Sequence, residues 1–240
     1  MTFELNVFQY DYYDDTHSQN LDKLVKLLKK TKEGSFSCAS ELCLTNFSYS
    51  DMRGAAKFSH ESLEEILPLT NNKTVAFSII EEKDGNFYNS AKIIHDNKIV
   101  HSQEKYRLFT LGEELKYFKA GDKEKFKIID IGGIKVALLI CFELRFVELW
   151  QILRGADILF APSLWGKPRK EHLESITKTL AIINQCYVLL SNSSNDDMAS
   201  SSGIITPFGK EFRDDSKDMI SILGDIKEIE TARRYLQMDI

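Results

Sequence analysis

Cys141, Glu41 and Lys105 are the residues of this chain whose types and settings could do covalent chemistry. Cys141 stands in IKVALLICFELRF, where an apolar run stops and a helical pattern starts. Ile134 to Ile140 reads as a buried strand, because its apolar residues are nearly continuous. After it, Leu144, Val147, Trp150 and Leu153 recur at helical spacing. A strand that passes straight into a helix exposes the turn residue at the sheet's end, beside helix N–H groups without partners. Those groups favour a thiolate and can receive an oxyanion. A cysteine there fits a nucleophile, although most unpaired cysteines are small buried hydrophobes and Cys141 follows a core strand.

A nucleophilic cysteine needs a base, an orienting charge and an oxyanion site. In SCASELCLTNF, Glu41 follows a short strand and sits among small and apolar residues. A carboxylate so placed is partly desolvated, which raises its pKa toward that of a useful general base. In HSQEKYRLF, Lys105 stands at the end of a strand, where an ammonium near Cys141 would lower the thiol pKa and steady an oxyanion. Alone, Glu41 reads equally well as a cap and Lys105 as a solvated lysine. Three such residues at three strand ends read as a site.

The elements that must position them alternate along the chain. Strands are expected at Phe3–Tyr10, Ser35–Ser40, Lys73–Glu82, Asn86–His95, Lys98–Gln103, Lys125–Asp130, Asp157–Pro162, Tyr187–Ser191, Ser202–Thr206 and Met219–Asp225. Helices are expected at Ser18–Lys32, from an Asp51 cap to about Leu67, after Cys141, across Glu171–Asn184 and from Lys227. Leu111–Asp122 reads as an irregular loop and Ser191–Ser202 as a solvated surface loop. No repeat or long linker interrupts this order, which implies one layered α/β domain over residues 1–240.

At 240 residues and 43% hydrophobic content the chain can bury a sizeable core without disulfides. A net charge of −5 gives no electrostatic footprint for nucleic acid. Cys38, Cys43, Cys141 and Cys186 form no CxxC pair, and His17, His60, His95, His101 and His172 are scattered, so no metal is expected. No leader pattern opens the chain and no apolar run approaches the ~20 residues that span a bilayer, so a soluble, cytoplasmic protein with reduced thiols and no membrane partner is expected.

The chain resembles the nitrilase superfamily of carbon–nitrogen hydrolases, whose mark is a Glu–Lys–Cys triad. SELCLTNF is similar to the family's glutamate segment and KYRLF, followed by EELKYFKAGD, to its lysine segment. ICFELRF is similar to its cysteine elbow, and GADILFAPS, AIINQCYVLLSN and SSGIITPFGKE to the segments that follow. The resemblance implies a four-layer α-β-β-α sandwich, pairing into homodimers, and hydrolysis through a thioester without a metal or organic cofactor. It implies catalytic roles for Glu41, Lys105 and Cys141, with Glu114 as a second glutamate that places substrate and Lys105.

The chain looks closest to omega-amidase-like members through EELKYFKAGD and NQCYV. It departs from the family's pattern at Arg107, where a histidine is usual, and at Glu143 and Val147, where Asp and Pro are common. Leu180 and Ile183 also stand in place of an Arg and a Glu. These departures bear on subfamily and substrate. A small amide carrying a carboxylate would need a cationic partner. Arg107, beside Lys105, is the preferred candidate, while Lys167 and Arg169 in KPRKEH read equally as a solvated charge run. Phe142 N–H is the expected oxyanion donor, Trp165, Phe47 and Tyr49 are expected pocket walls, and Arg145 is expected in a structural ion pair. A nitrile or carbamoyl substrate for the same triad remains open, as does a catalytically idle binding or regulatory member. A papain-like Cys/His pair is not supported by the setting of any histidine.

Overall fold

Side chains alternate between two faces along a strand, and the first strand, β1 (Thr2–Phe8), shows what this sorting builds. Phe3, Leu5 and Val7 point into the largest apolar cluster, whereas Phe8 joins a second cluster with Leu24, Leu27 and Leu28 of the helix α1 (His17–Lys30). The computed structural model describes residues 1–14 and 16–236. Within it β1 runs parallel to β2 (Phe36–Cys38), and β2 parallel to β3 (Thr74–Lys83). The crossovers between them carry α1 and α2 (Met52–Ile66), the latter capped by Asp51 Oδ1, which accepts the Gly54 N–H at 2.9 Å. Hairpins lead on to β4 (Asn86–His95) and β5 (Lys98–Glu104). At both turns, Asp84-Gly85 and Asp96-Asn97, the two central residues have positive φ, the geometry that suits a tight hairpin. The segment that follows is not wholly irregular over Leu111–Asp122 as expected: a 3-10 turn at Thr110–Gly112 leads into a short helix, α3 (Glu114–Tyr117).

The second sheet is built from β6 (Ile129–Ile131), β7 (Ile134–Leu138), β8 (Ile158–Pro162), β9 (Tyr187–Ser191), β10 (Gly203–Ile205) and β11 (Glu211–Arg213). Its central strands β7, β8 and β9 are parallel, linked by α4 (Val147–Ile152) and α5 (Lys170–Asn184). β12 (Met219–Asp225) returns to pair antiparallel with β1, and α6 (Ile226–Leu236) follows. Strand orders are β12-β1-β2-β3-β4-β5 and β11-β10-β9-β8-β7-β6.

The edge-on contact of Phe3 with Tyr187, 6.1 Å between ring centres, shows which faces meet. Register then puts Val136, Ile158 and Tyr187, and one layer on Leu138, Phe160 and Leu189, against the first sheet. The opposite faces carry the helices. This is the α-β-β-α sandwich the resemblance implied, with ~10 Å between its sheets expected from side-chain packing. No helix among the described residues is long and apolar enough to cross a membrane.

Several expectations need correction. Of the expected Lys125–Asp130 strand only Ile129 and Asp130 pair, within β6, after a tight 3-10 turn at Lys123–Lys125. The helix after Cys141 starts as a 3-10 turn, Cys141–Arg145, before α4. The ends of Ser191–Ser202 are not solvated: Ser191, Asn192, Ser193, Ser201 and Ser202 are buried. Their hydroxyls serve the backbone from inside, with the Asn192 N–H donating to Ser202 Oγ at 2.9 Å and Ser202 Oγ donating to the Asn192 carbonyl at 3.1 Å.

Candidate active site

The parallel strands β2 and β7 deliver Glu41 and Cys141 to one crevice outside their carboxyl ends, and Lys105 reaches it from the end of the antiparallel edge strand β5. The carboxyl ends of parallel strands are where α/β folds place their ligands. Beyond β2, the Ala39 N–H still bonds to the Ala76 carbonyl at 2.8 Å, and the chain then crosses to the other sheet, with the Glu41 N–H on the Ser163 carbonyl at 3.3 Å. The Tyr12 hydroxyl donates to the Glu41 carbonyl at 2.7 Å and fixes the turn. Lys105 leaves β5 with its N–H on the Asn89 carbonyl at 2.8 Å and its own carbonyl taken by the Gly121 N–H at 2.9 Å. A Cβ at residue 121 would lie 2.3 Å from the Glu104 carbonyl oxygen, so only glycine permits this clasp. Cys141 sits at φ 48°, in the left-handed region that side chains seldom adopt. That sharp reversal after β7 is how a core strand can present a thiol at its end.

Charge is concentrated here without solvent. Lys105 is fully buried and its Nζ donates to Glu41 Oε1 at 2.6 Å and to Glu114 Oε1 at 2.7 Å. Glu41 Oε1 also accepts from Asn89 Nδ2 at 2.8 Å, and Glu114 Oε2 accepts from the Phe109 N–H at 3.1 Å. Burial disfavours the Lys105 ammonium, but Glu41 and Glu114 outweigh it and hold its pKa well above the ordinary lysine range. Burial raises the Glu114 carboxyl, against the pull of Lys105. Two of the three Nζ protons are thus committed and one is left to give. Glu41 Oε2 is buried with no hydrogen-bond partner, so it is the atom of this carboxylate free to take a proton.

The thiol behaves differently from the sequence expectation. Burial pushes the Cys141 thiol well above its ordinary range, Glu41 pushes it further, and Lys105 only opposes them. Burial above all, with Glu41 beside it, thus favours the neutral thiol at rest over the pull of Lys105. Alkylation of Cys141 in the native protein, followed by peptide mass spectrometry, should therefore keep accelerating beyond pH ~8.5, the ordinary thiol pKa. A plateau reached below pH ~8 would contradict a neutral resting thiol.

Cys141 opens into a small cleft between Phe109, Phe142, Leu164 and Trp165, with Arg145 and Arg169 in its wall. The Arg145 guanidinium lies 4.5 Å from the Trp165 ring centre and that of Arg169 5.3 Å from the Phe109 ring centre. Neither arginine makes a salt bridge among the described residues. Burial, and then the charge of Arg169, lower the Arg145 pKa. Trp165 Nε1 is buried without a partner. Its backbone is gripped by one side chain, with the Trp165 N–H on Asn192 Oδ1 at 2.7 Å and Asn192 Nδ2 on the Trp165 carbonyl at 3.2 Å.

Glu41, Lys105, Cys141 and Glu114 are thus brought together, and Phe142 and Trp165 line the cavity. Arg107 and Phe47 do not. Arg107 turns outward to Glu148, at 2.9 Å, and lies over the Tyr106 and Phe146 rings. The chain leaves the strand at Glu104, so residues two apart no longer share a face. Phe47 packs on Tyr49 and Phe118, one layer back, and Lys167 lies outside the wall. Arg145 is in the cavity rather than in a structural ion pair. Asn89, Phe109, Leu164 and Asn192 were missed. Asn89 had a signal, a lone amide among the inward positions of a core strand. Among the described residues no group of three or more His, Cys, Asp or Glu side chains is placed to hold a metal.

Fold and sequence together define the class: the carbon–nitrogen hydrolase family model matches residues 6–218, and the chain belongs to that family. More particularly, it is 28% identical over 245 residues to a 2-oxoglutaramate amidase of Bacillus subtilis, covering 97% of this chain and 93% of that protein. It is 27% identical over 231 residues to an omega-amidase of Xenopus laevis, covering 87% and 82%. A carbon–nitrogen hydrolase superfamily protein of Xanthomonas campestris, solved with an arsenic adduct in its active site, superposes with a TM-score of 0.87 at 16% identity, over 99% of this chain and 96% of that one.

Proposed function

We propose that this chain is an omega-amidase-like hydrolase, cleaving the amide of a small substrate that also carries a carboxylate. The observation that carries the reading is the wall of the cavity beside Cys141. Arg145 and Arg169 stand there half-buried with no carboxylate of their own among the described residues, Arg145 Nη2 meeting His172 Nδ1 at 3.3 Å, and Trp165 Nε1 is buried without a partner. Two guanidinium groups without a carboxylate, beside a buried N–H without an acceptor, suit the carboxylate of a small substrate. The relatives named as amidases fit the same reading.

The chemistry follows from the hydrogen bonds. Cys141 Sγ attacks the amide carbon while Glu41 Oε2 takes the thiol proton, so no free thiolate has to persist. The carbonyl π electrons move to oxygen, which the third Lys105 N–H and the Phe142 backbone N–H can receive. Loss of one such donor costs about 3 kcal/mol in the transition state. The tetrahedral adduct collapses, the C–N bond breaks, and ammonia leaves with the proton held by Glu41. Water then gives a proton back to Glu41 as it attacks the thioester, and the acid departs while the proton returns to Sγ. Glu114 keeps Lys105 aimed throughout.

The test is ammonia release at pH 8 from carboxylate-bearing small amides, neutral aliphatic amides, carbamoyl-amino acids and nitriles. Carboxylate-bearing amides should be strongly preferred. Arg169→Ala should raise KM for them about 10–100-fold with little change in kcat, the effect of losing one charged hydrogen bond. Equal turnover of neutral amides, or release from nitriles alone, would sink the substrate assignment. No release from any compound would leave the idle binding protein as the better reading.

A further inference from the structure

One fully buried carboxyl in this region takes no part in the chemistry above. Glu143 lies in the turn after Cys141, is shielded from solvent, and makes no salt bridge among the described residues. Burial pushes its pKa up to about 7, while the backbone N–H groups around it pull the other way. Those groups identify what it does. Glu143 Oε2 accepts the Ile140 N–H at 2.8 Å, and Oε1 accepts the Tyr106 N–H at 2.7 Å and, at longer range, the Arg107 N–H at 3.5 Å. Ile140 immediately precedes Cys141 and Tyr106 immediately follows Lys105. The two segments come from different sheets, β7 from one and β5 from the other.

We infer that Glu143 is a positioning residue whose carboxylate ties the backbone beside the nucleophile to the backbone beside the lysine, and so sets where Lys105 stands relative to Cys141. Among the described residues no other side chain hydrogen-bonds to both segments. The left-handed backbone at Cys141 directly follows the Ile140 N–H that Glu143 holds, and a strained conformation persists where its surroundings fix it. The lysine loop, which runs outward from Lys105, is turned back by its hold on Tyr106. Both bonds need acceptor oxygens, one for each segment. A carboxylate supplies two, and an amide of the same size supplies one and turns an N–H against a donor.

This inference rests on the proposed roles of Cys141 and Lys105, and the test separates the two. Glu143→Gln keeps the volume and loses an acceptor, while Glu143→Asp loses volume and keeps both acceptors. Measured at pH 8, where the carboxyl is ionised, kcat should fall in the order parent, Asp, Gln, with Gln at least tenfold below the parent and KM within about twofold. A packing role gives the reverse order, since the isosteric Gln fills the site and Asp leaves a void. That order, or a kcat for Glu143→Gln within twofold of the parent, overturns the inference. If the parent turns over no amide, the functional reading fails by itself and Cys141 alkylation decides this one. Rates falling from parent to Asp to Gln support the positioning role, because attack depends on Glu41 meeting an aligned thiol, and equal rates overturn it.

Discussion

Cys141→Ala is expected to reduce ammonia release to background, a loss of at least about 10⁴-fold, while the protein melts within a few degrees of the parent. The activity loss follows from removing the only atom that can form the thioester. The small structural effect follows from the state of the residue at rest. Burial and Glu41 keep the thiol neutral, so its removal strands no charge. What is lost is one buried sulfur, worth about 1 kcal/mol and about 2–4 °C in a chain of this length. Glu41, Lys105 and Glu114 keep all of their mutual bonds. Activity assays beside a thermal melt check both halves. Turnover near that of the parent would end the assignment of Cys141 as nucleophile, and a collapse of the fold would show that the thiol holds structure the bonding pattern does not reveal.

Cys141, Glu41 and Lys105 were legible because each stands in a local pattern, while the four layers and Glu114 were expected only through the family resemblance. An apolar strand that stops at Cys141 needs only its own neighbours to be read, and so does a carboxylate set among small residues at Glu41. The cavity wall was legible only in part: Phe142 and Trp165 were expected there, whereas the inward placing of Arg145 and Arg169 rests on long-range bonds. Arg169 sits in KPRKEH, which reads as a solvated charge run, yet its segment is bridged at Gly166 to Met198, and the Lys167 N–H bonds to the Asp197 carbonyl at 2.8 Å. Asn192 then fixes Trp165 from 27 residues away. Those contacts turn the guanidinium inward, and no pattern within the run announces them. Arg107 failed for the opposite reason. Its closeness to Lys105 in sequence suggested a shared face, but the strand ends one residue before Lys105 and Glu143 steers the chain that follows. Thiol pKa is a third case: an ammonium near a cysteine lowers its pKa in isolation, but here burial of the thiol and the adjacent Glu41 carboxylate outweigh it.

Lys105→Met should be the most destabilising single change at this site. The parent buries one cation between two carboxylates at 2.6 and 2.7 Å, and methionine fills the space while leaving both anions facing one another. Breaking a buried ion pair from one side costs about 3–5 kcal/mol, which at about 2–4 °C per kcal/mol lowers the melting temperature by about 6–20 °C. The sign of the pH dependence follows. Without Lys105, like-charge repulsion raises the folded-state carboxyl pKa above its unfolded value of about 4.3. The variant's deficit is therefore largest above the raised pKa, and shrinks as pH falls through it because one carboxyl then takes a proton. Glu114→Gln in the same chain removes one of the two charges and should recover much of the lost stability at pH 8. It should recover no turnover, because the donor that receives the oxyanion is still absent. Thermal melts of the single and double variants across pH 5 to 8, with ammonia release alongside, separate the lysine's two roles. A Lys105→Met protein as stable as the parent at pH 8 would mean that the two carboxylates do not both carry charge in the folded state.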